Sequence, residues 1–299
     1  FLKTRTPIHP KEFVAVVTGA PGGRTAFARV RQGDLSWWLP IEIQVEEESK
    51  DAVAAFSKVV PAHCQPVNMD SLWNAPVTAI FKNEYLTPRS PYTTLQLPKQ
   101  GIGEWCHPKT TAVIDDSGLR KKVRNQLFAT PFGVNFRTPS EGNNIAFTSL
   151  WDNYPDSIRV PLTGSASHAY LLMAGSTNHM QCHIVNGIVK VHYTDGSCDS
   201  LELINPENWC PIEQDFFVDN VAFGIKAPRP YRVHLLSGLV SNNLEKDLTI
   251  KGVYGREIPG GAGVLLDMPL NPKKTLSHLT LETLSNDVVI GLMSITLQQ

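Results

Sequence analysis

The sequence predicts an all-β protein: an antiparallel β-sandwich with an N-terminal β-meander and one short helix. Two observations carry this. Turn-forming groups recur at short intervals, among them Pro21-Gly22-Gly23, Asn186-Gly187, Asp195-Gly196 and Pro259-Gly260-Gly261, and such groups supply the backbone angles that reverse a strand. Between them lie short runs rich in Val, Ile, Leu, Tyr and Phe, the composition of strands.

Taken in order, the first fifty residues read as a meander: Glu12–Thr18, a glycine turn, Thr25–Arg31, a turn at Gln32–Asp34, then Ser36–Val45. Three strands bury little by themselves, so the apolar face of this piece needs cover from the rest of the chain or from a preceding domain. Trp37 and Trp38 are neighbours on a strand and must face opposite sides. In Ser49–Val60, a serine able to cap a first turn precedes Val53, Phe56, Val59 and Val60 at helical spacing, which predicts the helix.

Residues 61–140 carry prolines at 61, 66, 76, 88, 91, 98, 108, 131 and 139, which remove donors a central strand needs. They read as long loops with two or three strands, notably Thr93–Leu97 and Gly133–Phe136. Beyond Asn144 the strands become regular. Ile158, Val160 and Leu162 alternate, and His168–Ala174 is a nearly continuous apolar strand. Gly187–Ile204 is a hairpin about Asp195-Gly196, a pair that accepts the positive φ of a tight turn. Ser277–Leu284 and Asp287–Leu297 read as a closing hairpin. Residues 1–60 thus form one region, with the end of a preceding domain as one reading, and 61–299 form the sandwich.

Charge narrows the partners. Lys and Arg total 27 against 28 Asp and Glu, so no net field recruits nucleic acid or an acidic membrane. No apolar run reaches the roughly 18 to 20 residues of a spanning helix. The chain opens at Phe1 with no signal-like segment, which suggests a processed or excised polypeptide. Five cysteines, without a C-x-x-C pair, read mostly as buried thiols, with one bridge open.

Several chemical motifs fail on spacing. Gly19–Thr25 resembles a phosphate loop, but the spacing is wrong and TAFARVR reads as a strand, not a helix. In HMQCH, an extended backbone points His179 and His183 one way and Cys182 the other, so no metal site is expected. No dinucleotide fingerprint, nucleophile elbow or H-E-x-x-H occurs, and no cofactor is implied. The basic run Arg120-Lys121-Lys122-Val123-Arg124 lacks stacking aromatics and reads as a solvated loop.

Two patterns remain. Acids beside aromatics or prolines in loops are Glu104, Asp152, Asp156, Glu213 and Asp215. A glycosidase needs two such carboxyls about 5 to 10 Å apart; Glu104, Asp152 and Asp215 are the catalytic candidates, with structural turns as the alternative. Trp105, Trp151, Tyr154 and Trp209 stand near Asp, Asn, Glu or His, the combination that stacks on a sugar ring while bonding its hydroxyls. The alternative for each tryptophan is the core. The ligand-binding candidates are Glu104, Trp105, His107, Trp151, Asp152, Asn153, Asn178 and Trp209.

The stretch Ile145–Phe217, with AYLLMAGSTN, then a V-x-Y-x-D-G hairpin, then an Asn-Pro-x-x-Trp element, resembles galactose-binding-like jelly rolls appended to bacterial glycoside hydrolases. VLLDMPLNPKKTLSHLTLETLSNDVVIGLMSITL is similar to their last strands. With GIGEWCHP and IDDSGLR, the chain resembles the C-terminal region of large glycosidase-like proteins of gut Bacteroidetes, well over residues 75–299 and less so before. The resemblance implies a periplasmic or cell-surface location, a glycan or polysaccharide partner and a catalytic domain in the same parent protein. It transfers no catalytic residue. Three expectations follow: a non-catalytic carbohydrate-binding or accessory module, a glycoside hydrolase in its own right, or a structural interdomain brace.

Overall fold

The computed structural model describes residues 22–45, 56, 59–83, 112–177, 181–215, 229–248 and 257–299. The chain divides into two compact units, Phe1–Asp51 and Ala52–Gln299.

In the first unit, β1 (Gly22–Gln32) and β2 (Leu35–Val45) pair antiparallel around a two-residue turn at Gly33-Asp34. Gly33 adopts φ +60°, which glycine alone enters without a Cβ clash. Both expected strands are present, whereas Glu12–Thr18 lies outside the described residues. Gly22 and Gly23, expected in a turn, already belong to the ladder opposite Val45 and Gln44. Trp37 shares one face with Leu35, Leu39, Ile41, Ala26, Ala28 and Val30. Trp38 faces the other way, its ring 5.9 Å from the Arg29 guanidinium.

The second unit is an antiparallel two-layer sandwich. Its strands are β3 (Cys64–Pro66), β4 (Leu127–Ala129), β5 (Asn135–Arg137), β6 (Ala146–Ser149), β7 (Ser157–Pro161), β8 (His168–Thr177), β9 (Val185–Tyr193), β10 (Cys198–Ile204), β11 (Tyr231–His234), β12 (Leu239–Ser241), β13 (Ala262–Pro269), β14 (Leu276–Thr283) and β15 (Val288–Gln298). One layer has the order β10-β9-β14-β7. The other runs β12-β11-β13-β8-β15-β3, with β6 also beside β15.

The smaller sheet alternates as its sequence predicts. Val189, Val191, Leu279 and Leu281 point inward, while Lys190, His192, His278 and Thr280 lie outward and only partly buried. The larger sheet is covered on both faces. Leu171, Met173, Val264, Leu266, Ile290 and Ile295 meet the smaller sheet. Tyr170, Leu172, Leu265, Val289 and Met293 meet a second core built with Leu119, Phe128, Val134, Phe136 and Ile145. Each fully buried Leu or Ile stabilises by about 1.5 to 3 kcal/mol, and β8 and β15 are accordingly mostly apolar, with Ser176, Thr177, Ser294 and Thr296 among the buried polar exceptions. A one-residue register shift between Leu292 and Ser294 keeps Ile295 and Leu297 on the same face as Leu292.

The Asp195-Gly196 hairpin forms as expected, with Gly196 at φ +85° and Tyr193 N–H donating to the Ser197 carbonyl at 2.9 Å. The expected closing hairpin does not. β14 pairs with β9 and β7, β15 with β8, β3 and β6, and the chain changes layer between Leu284 and Asp287. The burial patterns explain this. β14 has a half-wet alternation suited to a layer with one core face, whereas every residue of β15 is buried. Asn186-Gly187, expected in a turn, lies inside β9.

The irregular N-terminal stretch packs as loops with short strands. Its helix α1 (Ser117–Lys122) follows Asp115, which accepts the Ser117 N–H at 2.8 Å, and Arg120 pairs with Asp116 at 2.8 Å. Asn144 joins these segments: its side chain accepts the Val77 N–H and donates to Asp116, both at 2.8 Å. Of the expected helix at 49–60, Phe56 is helical and stacks on Phe132 at 4.5 Å; most of the rest, like Thr93–Leu97, lies outside the described residues. A second short helix, α2 (Leu244–Leu248), follows β12. No helix among the described residues is long and apolar enough to cross a membrane. Among the described cysteines, Cys64, Cys182, Cys198 and Cys210 are free thiols and only Cys210 is buried, so the expectation of mostly buried thiols is corrected.

Candidate functional site at one end of the sandwich

Register brings several loops to one end of the larger sheet. Ser149 of β6 pairs with Val289, Val288 with Thr177 of β8, and His234 of β11 with Ala262 at the start of β13. The segments that follow or precede these ends carry most of the described candidates.

Both described candidate tryptophans are internal. Trp151 is 2% exposed and its indole N–H donates to the Asn286 carbonyl at 3.1 Å. Trp209 is fully enclosed and donates to Thr177 Oγ1 at 2.5 Å. Neither ring offers a face to a ligand, which corrects the expectation that these two form a sugar-stacking platform. Tyr154 is buried likewise, packed on Phe147 and bonded to Asn83. A buried indole or phenol still requires a partner for its one polar atom. Each finds it far along the chain and not among its polar sequence neighbours: Trp151 on Asn286, Trp209 on Thr177 and Tyr154 on Asn83. Glu104, Trp105, His107 and Asn178 lie outside the described residues.

The acids separate by environment. Asp152 is exposed and Asn153 half-buried beside it. Asp215 and Glu213 are each 6% exposed. Among the described residues Glu213 Oε2 has no hydrogen-bond partner, and burial pushes the carboxyl up to about 7, with Arg232 opposing and Glu257 adding to the rise. Its segment is held by Arg232, whose buried guanidinium donates to the carbonyls of Pro211, Gln214, Ala262 and Gly263. The same group lies 2.7 Å from Cys210 Sγ, a thiol that burial raises to about 12 and so keeps neutral.

Nearby, His183 adopts φ +53°, donates its N–H to the Asn205 carbonyl at 2.7 Å and stands 3.7 Å from the Glu207 carboxylate. Asn186 spends its amide N–H groups on the carbonyls of Gln181 and Ile184; among the described residues its Oδ1 has no partner, and neither has Asn205 Nδ2. A buried polar atom left unpaired costs about 1 to 3 kcal/mol. Three such atoms, on Asn186, Asn205 and Glu213, thus lie in segments that converge on this end. Among the described residues no three His, Cys, Asp or Glu side chains form a metal-holding group.

Sequence reasoning passed over Asn186, Asn205 and Arg232. Asn186 was hidden by the glycine after it, which reads as a turn. In the strand, that glycine instead lets β9 approach the Glu282 carbonyl, 2.8 Å from where a Cβ would stand. Arg232 carried no signal, because its role exists only once β11 and β13 pair.

Fold and site together define an antiparallel β-sandwich protein with a polar loop rim over buried amide and carboxyl groups. No protein-family model, curated protein or solved structure matches the chain.

Proposed function

We propose that this chain is a non-catalytic carbohydrate-binding accessory module, built on a galactose-binding-like jelly roll, that contacts glycan through the polar loop rim. The observation that carries the reading is the convergence there of two buried amides with unpaired atoms, Asn186 and Asn205, at the same end of the sandwich as exposed Asp152 and half-buried Asn153. Amide and carboxylate groups are the partners that sugar hydroxyls require, and a near-neutral chain suits a neutral polymer. The sequence resemblance supports the same partner, a periplasmic or cell-surface setting and work beside a catalytic domain.

A second reading, hydrolysis by this chain itself, is favoured by Glu213, a carboxyl that burial pushes up to about 7 and so keeps partly protonated near neutral pH, with Asp215 two residues on. One experiment separates them. Affinity gels with a panel of soluble polysaccharides are run alongside a reducing-end assay. Retardation without released ends, weakened in Asp152→Ala and Asn153→Ala, supports recognition. Released ends that vanish in Glu213→Gln support hydrolysis, and neither signal across the panel overturns both.

A further inference from the structure

The outer face of the smaller sheet carries a basic group that neither reading uses. Three adjacent strands set it in register: Arg159 of β7 faces Thr280 of β14, which faces Lys190 of β9, and in the next row His278 of β14 faces His192 of β9. The two imidazoles are stacked, with centroids 4.3 Å apart and planes within 6°. Arg159 Nη2 lies 3.1 Å from His278 Nδ1. A guanidinium has only donors, so this nitrogen accepts and the imidazole N–H sits on Nε2. His192 Nε2 lies 3.3 Å from the Thr280 hydroxyl.

The charges do not cancel within this group. Lys190 has Glu282 at 3.8 Å, but among the described residues no carboxylate pairs with Arg159. A guanidinium held against a neutral ring beside a second imidazole has spare N–H donors and, among the described residues, no paired carboxylate. Such a fork matches the oxygens of a carboxylate, sulfate or phosphate.

We infer that Arg159, His278 and His192 form a site for a ligand oxyanion on the outer face of the smaller sheet, separate from the loop rim and independent of whether the rim takes a sugar. The oxyanion accepts from Arg159 and from the imidazole edges, and the Thr280 hydroxyl links its row to His192 in the next. The same chemistry is presented by a uronate or sulfated glycan and by free phosphate or sulfate.

The site couples binding to protonation. Burial, then the positive charge of Arg159 and of His192, holds the His278 pKa below the ordinary histidine value. The charged and titratable groups around His278 are Arg159 on β7, Lys190 and His192 on β9, Glu282 on β14 and Cys198 on β10. A bound anion offsets the cations among them, so the pKa of His278 rises on binding and the anion binds more tightly as pH falls through that range.

The test is an NMR titration of the histidine ring protons of the whole chain, with inorganic phosphate, with oligogalacturonate and with a neutral oligosaccharide as control. The expected result is an upward shift of the His278 titration by about one pKa unit with an anion, equivalent to about tenfold tighter binding to the protonated form, and none with the neutral sugar. Arg159→Gln abolishes the shift with an unchanged unfolding midpoint, and His278→Gln keeps weak binding but loses its pH dependence. A response to oligogalacturonate stronger than to phosphate identifies an acidic glycan as the source, and the reverse identifies a free inorganic anion. Unmoved histidine titrations with both anions, or a shift that survives Arg159→Gln, overturn the assignment.

Discussion

A Cβ placed on Gly175 would stand 2.8 Å from Cζ2 of Trp209 and 2.1 Å from the Val289 carbonyl oxygen. The indole therefore fills the space that the missing side chain leaves, and Thr177 two residues later accepts its N–H. Gly175→Ala forces both the ring and the β15 backbone to move. Overpacking of this kind costs about 3 kcal/mol, and the urea midpoint should fall accordingly, whereas Gly196→Ala, strained at φ +85° but with open space around it, should lose less.

Glu213 gives the fold an acid-side preference. Its folded pKa of about 7 lies above the ordinary glutamate value of 4.5, so its contribution is fully present below about 4.5 and is lost as pH rises through about 7. Replacing it with the uncharged isostere in Glu213→Gln should flatten the stability profile across that window. Unfolding in urea at pH 8 should show a gain of about 2 to 3 kcal/mol over the parent, with little difference at pH 4.

Asn144→Ala removes one side chain and strands two groups. The Val77 N–H loses its acceptor, and the Asp116 carboxylate keeps Arg120 but loses the amide donor. All three residues are buried. Leaving such groups unpaired costs about 1 to 3 kcal/mol, measurable as a lower denaturant midpoint at an unchanged slope.

The hairpin should respond differently. Leu35, Trp37, Leu39 and Ile41 are 70%, 44%, 49% and 40% exposed along one face, an apolar row of the sort that binds partners or apolar dyes. Trp37→Ser combined with Leu39→Ser should reduce fluorescence of an apolar dye. Exposed positions change stability by about 0.5 kcal/mol or less, so the melting midpoint of the sandwich should stay within a degree or two.

What the sequence reveals here is local. The β9–β10 hairpin follows from Asp195-Gly196, because a tight turn is decided by its own backbone angles. The strands β8, β14 and β15 follow from their apolar patterns. Their neighbours do not: Leu284–Asp287 is as short as a hairpin loop yet crosses between layers, and only the contrast between the half-wet β14 and the dry β15 hints at it. The site was less legible. Trp151 and Trp209 stand beside polar residues, which in sequence looks like a sugar platform, yet both rings are buried and their N–H groups are met by Asn286 and Thr177 far along the chain. Arg159 and His278 are 119 residues apart and meet only through strand register.

The pairing of β15 with β3 joins Leu297 to Gln65 and Gln298 to Cys64, while β15 also completes β6 and β8. Such distant partners must find one another by diffusion before any enthalpy returns, and topologies rich in them assemble over milliseconds to seconds, not microseconds. Until that meeting, the dry faces of β8 and β13 stand open. Refolding from denaturant should consequently be slow and sensitive to protein concentration, with aggregation competing against closure of the large sheet.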